Sequence, residues 1–319
     1  MGLPIETEVL TTEGFKPIKD LKKGEYILTF NKEFEILEFQ EVLWVTEKEY
    51  RKLYTLESQF EMTSDNLVPT KFHTRLKTFR NCMEKDKPTK IFKAAKLYSG
   101  YLDIEDDYLR LFVWLQRRRS SYISGNKLII RVNNSEFRKR VVKILNALGC
   151  EYRQKDTARY GVCLYVEDPY LVSLVKEYMV ECKFTPKWIG LSMRQFEIFK
   201  EEFEFASMSS RNRYYTPDTE QLDIVATIYI THGESVSYEQ ERRKAKNGGY
   251  TERSYLRKAR FSNGSWFNKD LLTEREGEAQ SIITFNKFIF VKQYLQKKRK
   301  FGYVFSIVGG YELGDEIIV

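Results

Sequence analysis

A helix, a strand and a second helix occur twice in the middle of this 319-residue chain, roughly 85 to 90 residues apart, and that repeat constrains the fold more than any other feature. In the first copy an apolar run predicts a helix from Asp106 to Gln116, and "NKLIIRV" predicts a strand. Asn134 or Ser135 then caps a helix that puts Phe137, Val141, Ile144, Leu145 and Leu148 on one face, and Gly149 stops it. In the second copy Ser192 and Gln195 have capping-box spacing and open a helix carrying Phe196, Phe199 and Phe203. "RNRYY" follows as a strand, and Thr216-Pro217 starts a helix with Leu222, Val225, Ala226 and Tyr229 on its face, ended by Gly233. Two copies imply a duplication rather than a many-repeat array. Asn247-Gly248 and Asn263-Gly264 then mark hairpins in a basic, tyrosine-bearing stretch from Glu239 to Phe267.

Both ends of the chain have a different texture. From Met1 to about residue 95, "TEVLTT", "EYILTF" and "EVLWVTE" read as strands, with Gly14 at a turn. "SIITFNKFIFV" and "GYVFSIV" return to β character near the other end; periodicity leaves a helix open for Phe285, Phe288 and Ile289, and the composition leans to strand. The fold class expected is therefore α+β. A content of 42% hydrophobic and 15% aromatic residues excludes a disordered chain. Cys82, Cys150, Cys163 and Cys182 show no CxxC spacing, and only His73 and His232 accompany them, which argues against zinc and histidine chemistry. No apolar run approaches the ~18 residues of a membrane span, and no signal peptide opens the chain, so no membrane partner and an intracellular, cytoplasmic location are expected.

A net charge of +8 points to an anionic partner only if the charge is local, because 45 acidic residues interleave with 53 basic ones. One local cluster stands out. In "LFVWLQRRRS" a buried-type helix runs straight into Arg117, Arg118 and Arg119. Cations near a helix C-terminus complement its dipole and free carbonyls, worth ~0.3–1 kcal/mol, so capping on a solvated end is one explanation. Phosphate binding is the other, since three adjacent charges exceed what capping uses.

Particular stretches also carry a family resemblance. "GLPIETEVLTTEGFKPIKDLKKGEYILTF" resembles the first block of a Hint (Hedgehog/intein) domain, "TSDNLVPT" resembles its T-x-x-H block, and "GYVFSIVGGYELGDEIIV" resembles the end of an intein. "YLRLFVWLQRRRSSYISGNKLIIRVNNSEFRKRVVKILNALG" and "TPKWIGLSMRQFEIFKEEFEFASMSS" resemble the two halves of an inserted LAGLIDADG (DOD-type) homing endonuclease. The resemblance implies a β-rich Hint horseshoe formed from both chain ends, residues 1–97 and 279–319. Between them it implies an αββα-type pseudo-twofold domain at 98–278, with pseudo-repeats at about 104–182 and 183–278.

The chemistry that the resemblance implies is missing residue by residue. Splicing needs a nucleophile, a histidine and a terminal His-Asn pair; Gly2 stands at the first position, Asn66 at the second, and the chain ends at Val319. Two-metal DNA cleavage needs an acid at the end of each signature helix. Those positions hold Arg117 and Ala206, followed by Arg118 and Ser207 at the glycines, and Glu204 falls two residues early. No catalytic residue, metal or other cofactor is therefore expected.

The primary expectation is a domesticated protein that binds duplex DNA without cutting it. Its contacts would be Arg117, Arg118 and Arg119 at a helix end, and Arg211, Arg213, Tyr214, Arg242, Arg243, Lys244, Arg257, Lys258 and Arg260 on strands and hairpins that form a saddle in this family. The scattered strand residues also fit a solvated face, and Glu201, Glu202 and Glu204 would repel phosphate if they line the saddle. Two alternatives stand beside it: a scaffold binding protein partners in a larger assembly such as a virus particle, and a surviving site-specific endonuclease. The internal duplication makes a monomer sufficient for a pseudo-symmetric DNA surface.

Overall fold

A computed structural model describes residues 2–56, 60–68, 77–78, 89–92, 94–98, 100, 102–117, 121–132, 134–157, 161–209, 212–244, 250–258, 264–267, 272–286, 288–296, 301–309 and 311–312. The fold is α+β, and the chain divides into two compact units: Met1–Tyr98 with Tyr229–Val319, and Ser99–Ile228.

In the unit built from the chain ends, a seven-stranded sheet runs in the order Lys96–Leu97, Ile36–Glu41, Tyr26–Asn31, Glu8–Thr11, Phe288–Gln296, Phe301–Gly309, with Gly14–Pro17 hairpinned onto Glu8–Thr11. The strand Phe288–Gln296 shows why periodicity left a helix open there. Residues 288–293 are buried on both faces, so its apolar run is continuous rather than alternating. A second sheet orders Leu3–Pro4, Leu272–Gln280, Glu49–Leu56 and Phe60–Met62. Between them lies a core of Val9, Ile27, Phe60, Met62, Ile289 and Val308, residues far apart in sequence.

The sequence pattern carries the inserted domain to residue 278, whereas 229–278 belongs by its contacts to the unit of the chain ends. The strand Leu272–Gln280 pairs with Glu49–Leu56 over eight registers, and Val236–Lys244 pairs with Tyr250–Lys258. Strand pairing is set by a distant partner, which no local pattern announces.

A buried carboxylate fastens these sheets. Glu61 accepts two bonds from Arg275, at 2.8 and 2.6 Å, and one from Thr55 at 2.8 Å. The Gln293 side chain bonds the backbone of Glu61 through both its oxygen and its nitrogen, and donates to Thr7 at 2.9 Å.

The second unit carries an antiparallel sheet ordered Ser121–Ser124, Lys127–Val132, Gly161–Val166, Tyr152–Thr157. Its helices are α1 (Asp106–Leu115), α2 (Ser135–Ala147), α3 (Pro169–Tyr178) and α4 (Met193–Ser207); α5 (Thr219–Thr231) crosses the boundary between the units. Asn134 caps α2 by accepting from the amides of Glu136 and Phe137, and Ser192 with Gln195 forms the complete capping box of α4. Helix α3 was not foreseen, although its signal is present: Asp168 caps it and Pro169 opens its first turn. Helix α5 begins at Thr219 rather than at Thr216, because Asp218 is the cap, accepting from the Gln221 amide at 3.3 Å. Where Gly100 passes the start of α4, an added Cβ would lie 2.4 Å from the Ser192 nitrogen, so no larger residue fits. The side chain of Gln195 donates to the carbonyls of Leu102 and Ile104, tying the segment before α1 to α4.

The expected effect of Arg275→Met is a loss of ~2–3 kcal/mol of stability, read as a lower urea midpoint with unchanged slope, because Glu61, only 9% exposed, keeps its charge and loses its cation.

Candidate functional site

Six of the ten residues of α1 are buried, Leu109 and Leu111 to Leu115, so it is enclosed on nearly every side. It packs along α4, whose Phe196, Phe199 and Phe203 face inward, the last two stacked at 5.1 Å. Between the helices sits Glu202, 1% exposed. Arg110 donates to it at 2.8 Å, Arg140 at 2.9 Å and the Trp114 indole at 2.9 Å. Glu201 is exposed and pairs with Arg140 and Arg110. Two of the three glutamates suspected of repelling phosphate are therefore engaged by arginines.

At the C-terminal ends of α1 and α4 the helices open into a cleft of about 840 Å³. Its floor joins the end of α1 to the end of α4 and to the strand Arg213–Tyr215: the Gln116 amide donates to the Ser207 hydroxyl at 2.7 Å and accepts from the Tyr214 hydroxyl at 3.1 Å. Ala206 and Arg117, the positions aligned with the family's acids, both line this cleft. Ala206 is buried and offers no ligand atom. The Arg117 guanidinium lies 4.2 Å over the Phe137 ring, and burial works against its charge. Among the described residues no group of three or more His, Cys, Asp or Glu side chains could hold a metal ion.

The wall carries strain and an ion pair. Glu181 and Cys182 form the two-residue turn between Met179–Val180 and Lys183–Phe184, with φ of +52° and +58°. That left-handed turn favours Asn and Gly, not these residues. Burial pushes the Cys182 thiol up to about 11, which keeps it protonated and unreactive at neutral pH. Lys183 donates to Asp218 at 2.8 Å. Burial alone would raise the Asp218 carboxyl, but the Lys183 ammonium and the Gln221 amide outweigh it and hold it below its ordinary value.

The other expected DNA contacts scatter. Arg213 lines the cleft and donates to the Tyr215 hydroxyl at 3.2 Å. Tyr214 is 6% exposed, its ring set edge-on to Phe203 at 4.8 Å, so it is a core residue rather than a surface contact. Arg257 is exposed, while Lys258 pairs with Glu234 at 3.2 Å; both belong to the unit of the chain ends. Arg242, Arg243 and Lys244 lie on a strand of that same unit, and their side chains are outside the described residues, as are Arg118, Arg119, Arg211 and Arg260. Sequence reasoning missed Gln116, Ser121 and Lys183, for which no local motif exists.

A second site lies in the unit of the chain ends. The Gly2 amide donates to the Thr63 hydroxyl at 2.8 Å, and the Gly2 carbonyl accepts from the Thr63 amide at 3.0 Å and the Asn66 carboxamide at 2.6 Å. Thr63 donates onward to Asp65 at 2.5 Å. Neither the Thr63 hydroxyl nor the Asn66 amide exchanges a proton near neutral pH. A Cβ on Gly2 would sit 3.1 Å from the Ala279 Cβ, so a side chain here requires its neighbours to give way.

No protein-family model matches the sequence, and no curated protein matches it. Solved structures with some likeness include the gp41-1 intein, 23% identical over 29% of this chain and 67% of that one, with a TM-score of 0.23. A variant Ssp DnaB mini-intein is 21% identical over 32% of this chain and 66% of its own, with a TM-score of 0.25. I-DmoI, solved in complex with DNA and Mn, is 12% identical over 49% of this chain and 91% of its own, with a TM-score of 0.32. This chain thus spans about two thirds of the length of these two inteins.

Glu181→Asn is expected to stabilise the protein by about 0.5–1 kcal/mol in urea unfolding, because Asn tolerates the left-handed turn and the Glu181 side chain is 82% exposed. For Asp218, a depressed folded value means stability that is present above the ordinary value of 3.8 and lost as pH falls through the folded value. Asp218→Asn should therefore lower Tm at pH 7 and leave it almost unchanged once the pH lies below the folded value, flattening the acid limb of a Tm-against-pH series.

Proposed function

We propose that this chain descends from an intein carrying a LAGLIDADG homing endonuclease, neither splices nor cuts, and uses its 99–228 unit to bind duplex DNA. The observation that carries this reading is the Gln116–Ser207 hydrogen bond between the ends of α1 and α4. The pair is a direct hydrogen bond between two neutral side chains. Beside it Arg117 brings a positive charge, which can meet a phosphate directly where a catalytic site would use a divalent ion. Two-metal hydrolysis needs carboxylate oxygens at these ends; Ala206 has none, and Glu202 is held by Arg110, Arg140 and Trp114.

The splicing half of the reading rests on Gly2. A residue without a side chain supplies no oxygen or sulfur for an acyl shift, and Asn66 cannot act as a general acid or base. Their hydrogen bonds make Gly2 a structural clasp between the first strand and the Thr63–Asn66 segment.

Each phosphate neutralised by an arginine releases counterions and adds about one unit to the slope of log affinity against log salt. A titration of a mixed-sequence duplex at several salt concentrations, with and without magnesium, tests the proposal on the native chain and on Arg117, Arg118 and Arg119 all changed to Ala. The expected outcome is salt-weakened binding without cleavage, with a shallower slope in the variant. Magnesium-dependent cutting, or no binding even at low salt, would overturn it; the second result would favour a scaffold role.

A further inference from the structure

The cleft at the ends of α1 and α4 is sized for one unit of a nucleic acid rather than for a whole duplex contact. At about 840 Å³ it falls in the range of small-molecule sites, ~300–1,000 Å³, whereas specific DNA interfaces spread over ~1,000–2,500 Å² of open surface. Its lining is also not that of a packing defect. Three cations, Arg117, Lys183 and Arg213, and two carboxylates, Glu181 and Asp218, line it, with Lys183 paired to Asp218.

An aromatic platform stands next to those charges. Phe205 lines the cleft and is 42% exposed, unusual for a ring packed at 5.7 Å against Phe137 and 6.1 Å against Trp114. The Arg140 guanidinium lies 4.9 Å from its centroid, which fixes the ring and leaves apolar surface turned to the cleft. The Ser121 hydroxyl, another lining group, is buried with no hydrogen-bond partner among the described residues. A buried hydroxyl of this kind is a hydrogen-bonding group that a water or a ligand atom entering the cleft can engage. The wall itself includes the strained Glu181-Cys182 turn, a conformation that concentrates where the chain shapes a binding site.

We propose that this cleft binds a single nucleotide unit. Its phosphate lies against the guanidiniums of Arg117 and Arg213, its base packs on Phe205, and the Ser121 hydroxyl bonds a polar edge of the base or sugar. Guanidinium with phosphate and an aromatic face with a base are the two pairings that nucleotide chemistry supplies in one small ligand. The proposal rests on the nucleic-acid reading of this unit and adds a pocket for one unstacked nucleotide beside the phosphate contact at the helix ends. The nucleotide can be free or part of an unpaired strand.

The test uses the full chain and titrates, separately, adenosine monophosphate, adenosine, inorganic phosphate, a thymidine pentanucleotide and a duplex oligonucleotide. It is run on the native protein and on Arg117→Gln, Phe205→Ala and Ser121→Ala, with the Tm of each variant recorded. Saturable binding of the monophosphate at least tenfold tighter than adenosine or phosphate alone is expected, weakened at least fivefold by Arg117→Gln and by Phe205→Ala. Tighter binding of the pentanucleotide assigns the site to an unpaired strand, and tighter binding of the monophosphate assigns it to the free nucleotide. Should Phe205→Ala not fold, Arg117→Gln and Ser121→Ala carry the comparison. The proposal is overturned if neither the monophosphate nor the pentanucleotide saturates at millimolar concentration, or if the folded variants bind as the native chain does. Duplex binding without nucleotide binding removes this proposal alone; nucleotide binding without duplex binding removes the duplex reading and leaves the cleft standing.

Discussion

The middle unit depends on one buried carboxylate. Glu202 sits on α4 with its side chain 2% exposed, and an unpaired charge there would be very costly. Arg110 and Trp114 on α1 and Arg140 on α2 converge on it, so one anion fixes the register of three helices at once. Such a network adds little net stability over an apolar core of the same volume, but it holds a specific arrangement, because sliding any helix by one turn would leave charges unmatched. The cleft inherits its geometry from that arrangement. Phe205 is three residues along α4 from Glu202 and Gln116 two beyond Trp114, so their placement follows from the pairing.

The same logic, polar groups closing on each other instead of on a reagent, governs both candidate sites. At the ends of α1 and α4, an amide and a hydroxyl join the two helices. At Gly2, the Thr63 hydroxyl and the Asn66 carboxamide hold both polar atoms of one residue. Neutral donors and acceptors make stable, unreactive clasps, since neither gains or loses a proton near pH 7. Cations gather around the cleft, where Arg117, Lys183 and Arg213 cluster and where the Glu181-Cys182 turn stores strain. That contrast separates a structural contact from a surface built to receive something.

Much of the architecture was legible residue by residue. The capping box at Ser192 and Gln195, the Asn134 cap and the stop at Gly149, whose φ is +67°, are local signals with local causes. The strands near residues 8, 26 and 301 followed from β-branched and aromatic runs. Helix α3 has the same kind of local signal, an Asp168 cap followed by Pro169, yet it stands outside the helix, strand, helix order of the repeat. Tyr214 was misjudged for a different reason: in "RNRYY" a tyrosine beside arginines looks like a surface contact, and only its packing on Phe203 and its bond to Gln116 make it core. The strands 236–244, 250–258 and 272–280 follow a pattern that any sheet can use, so their membership of the end-derived unit was invisible in sequence.

The sequence alone determined the alternation of β-rich ends with a helical middle, the caps that start and stop its helices, and the residue types at Gly2, Asn66, Arg117 and Ala206. Local backbone preference and hydrophobic period are properties of neighbouring residues, so they can be read in order. Only the tertiary structure decided that Glu202 is a core anion rather than a surface repulsion, that Gln116 meets Ser207, and that Arg117, Phe205 and Ser121 line one cleft. These depend on helices brought together across about ninety residues of chain, and the packing that joins them is a long-range fact that no window of sequence contains.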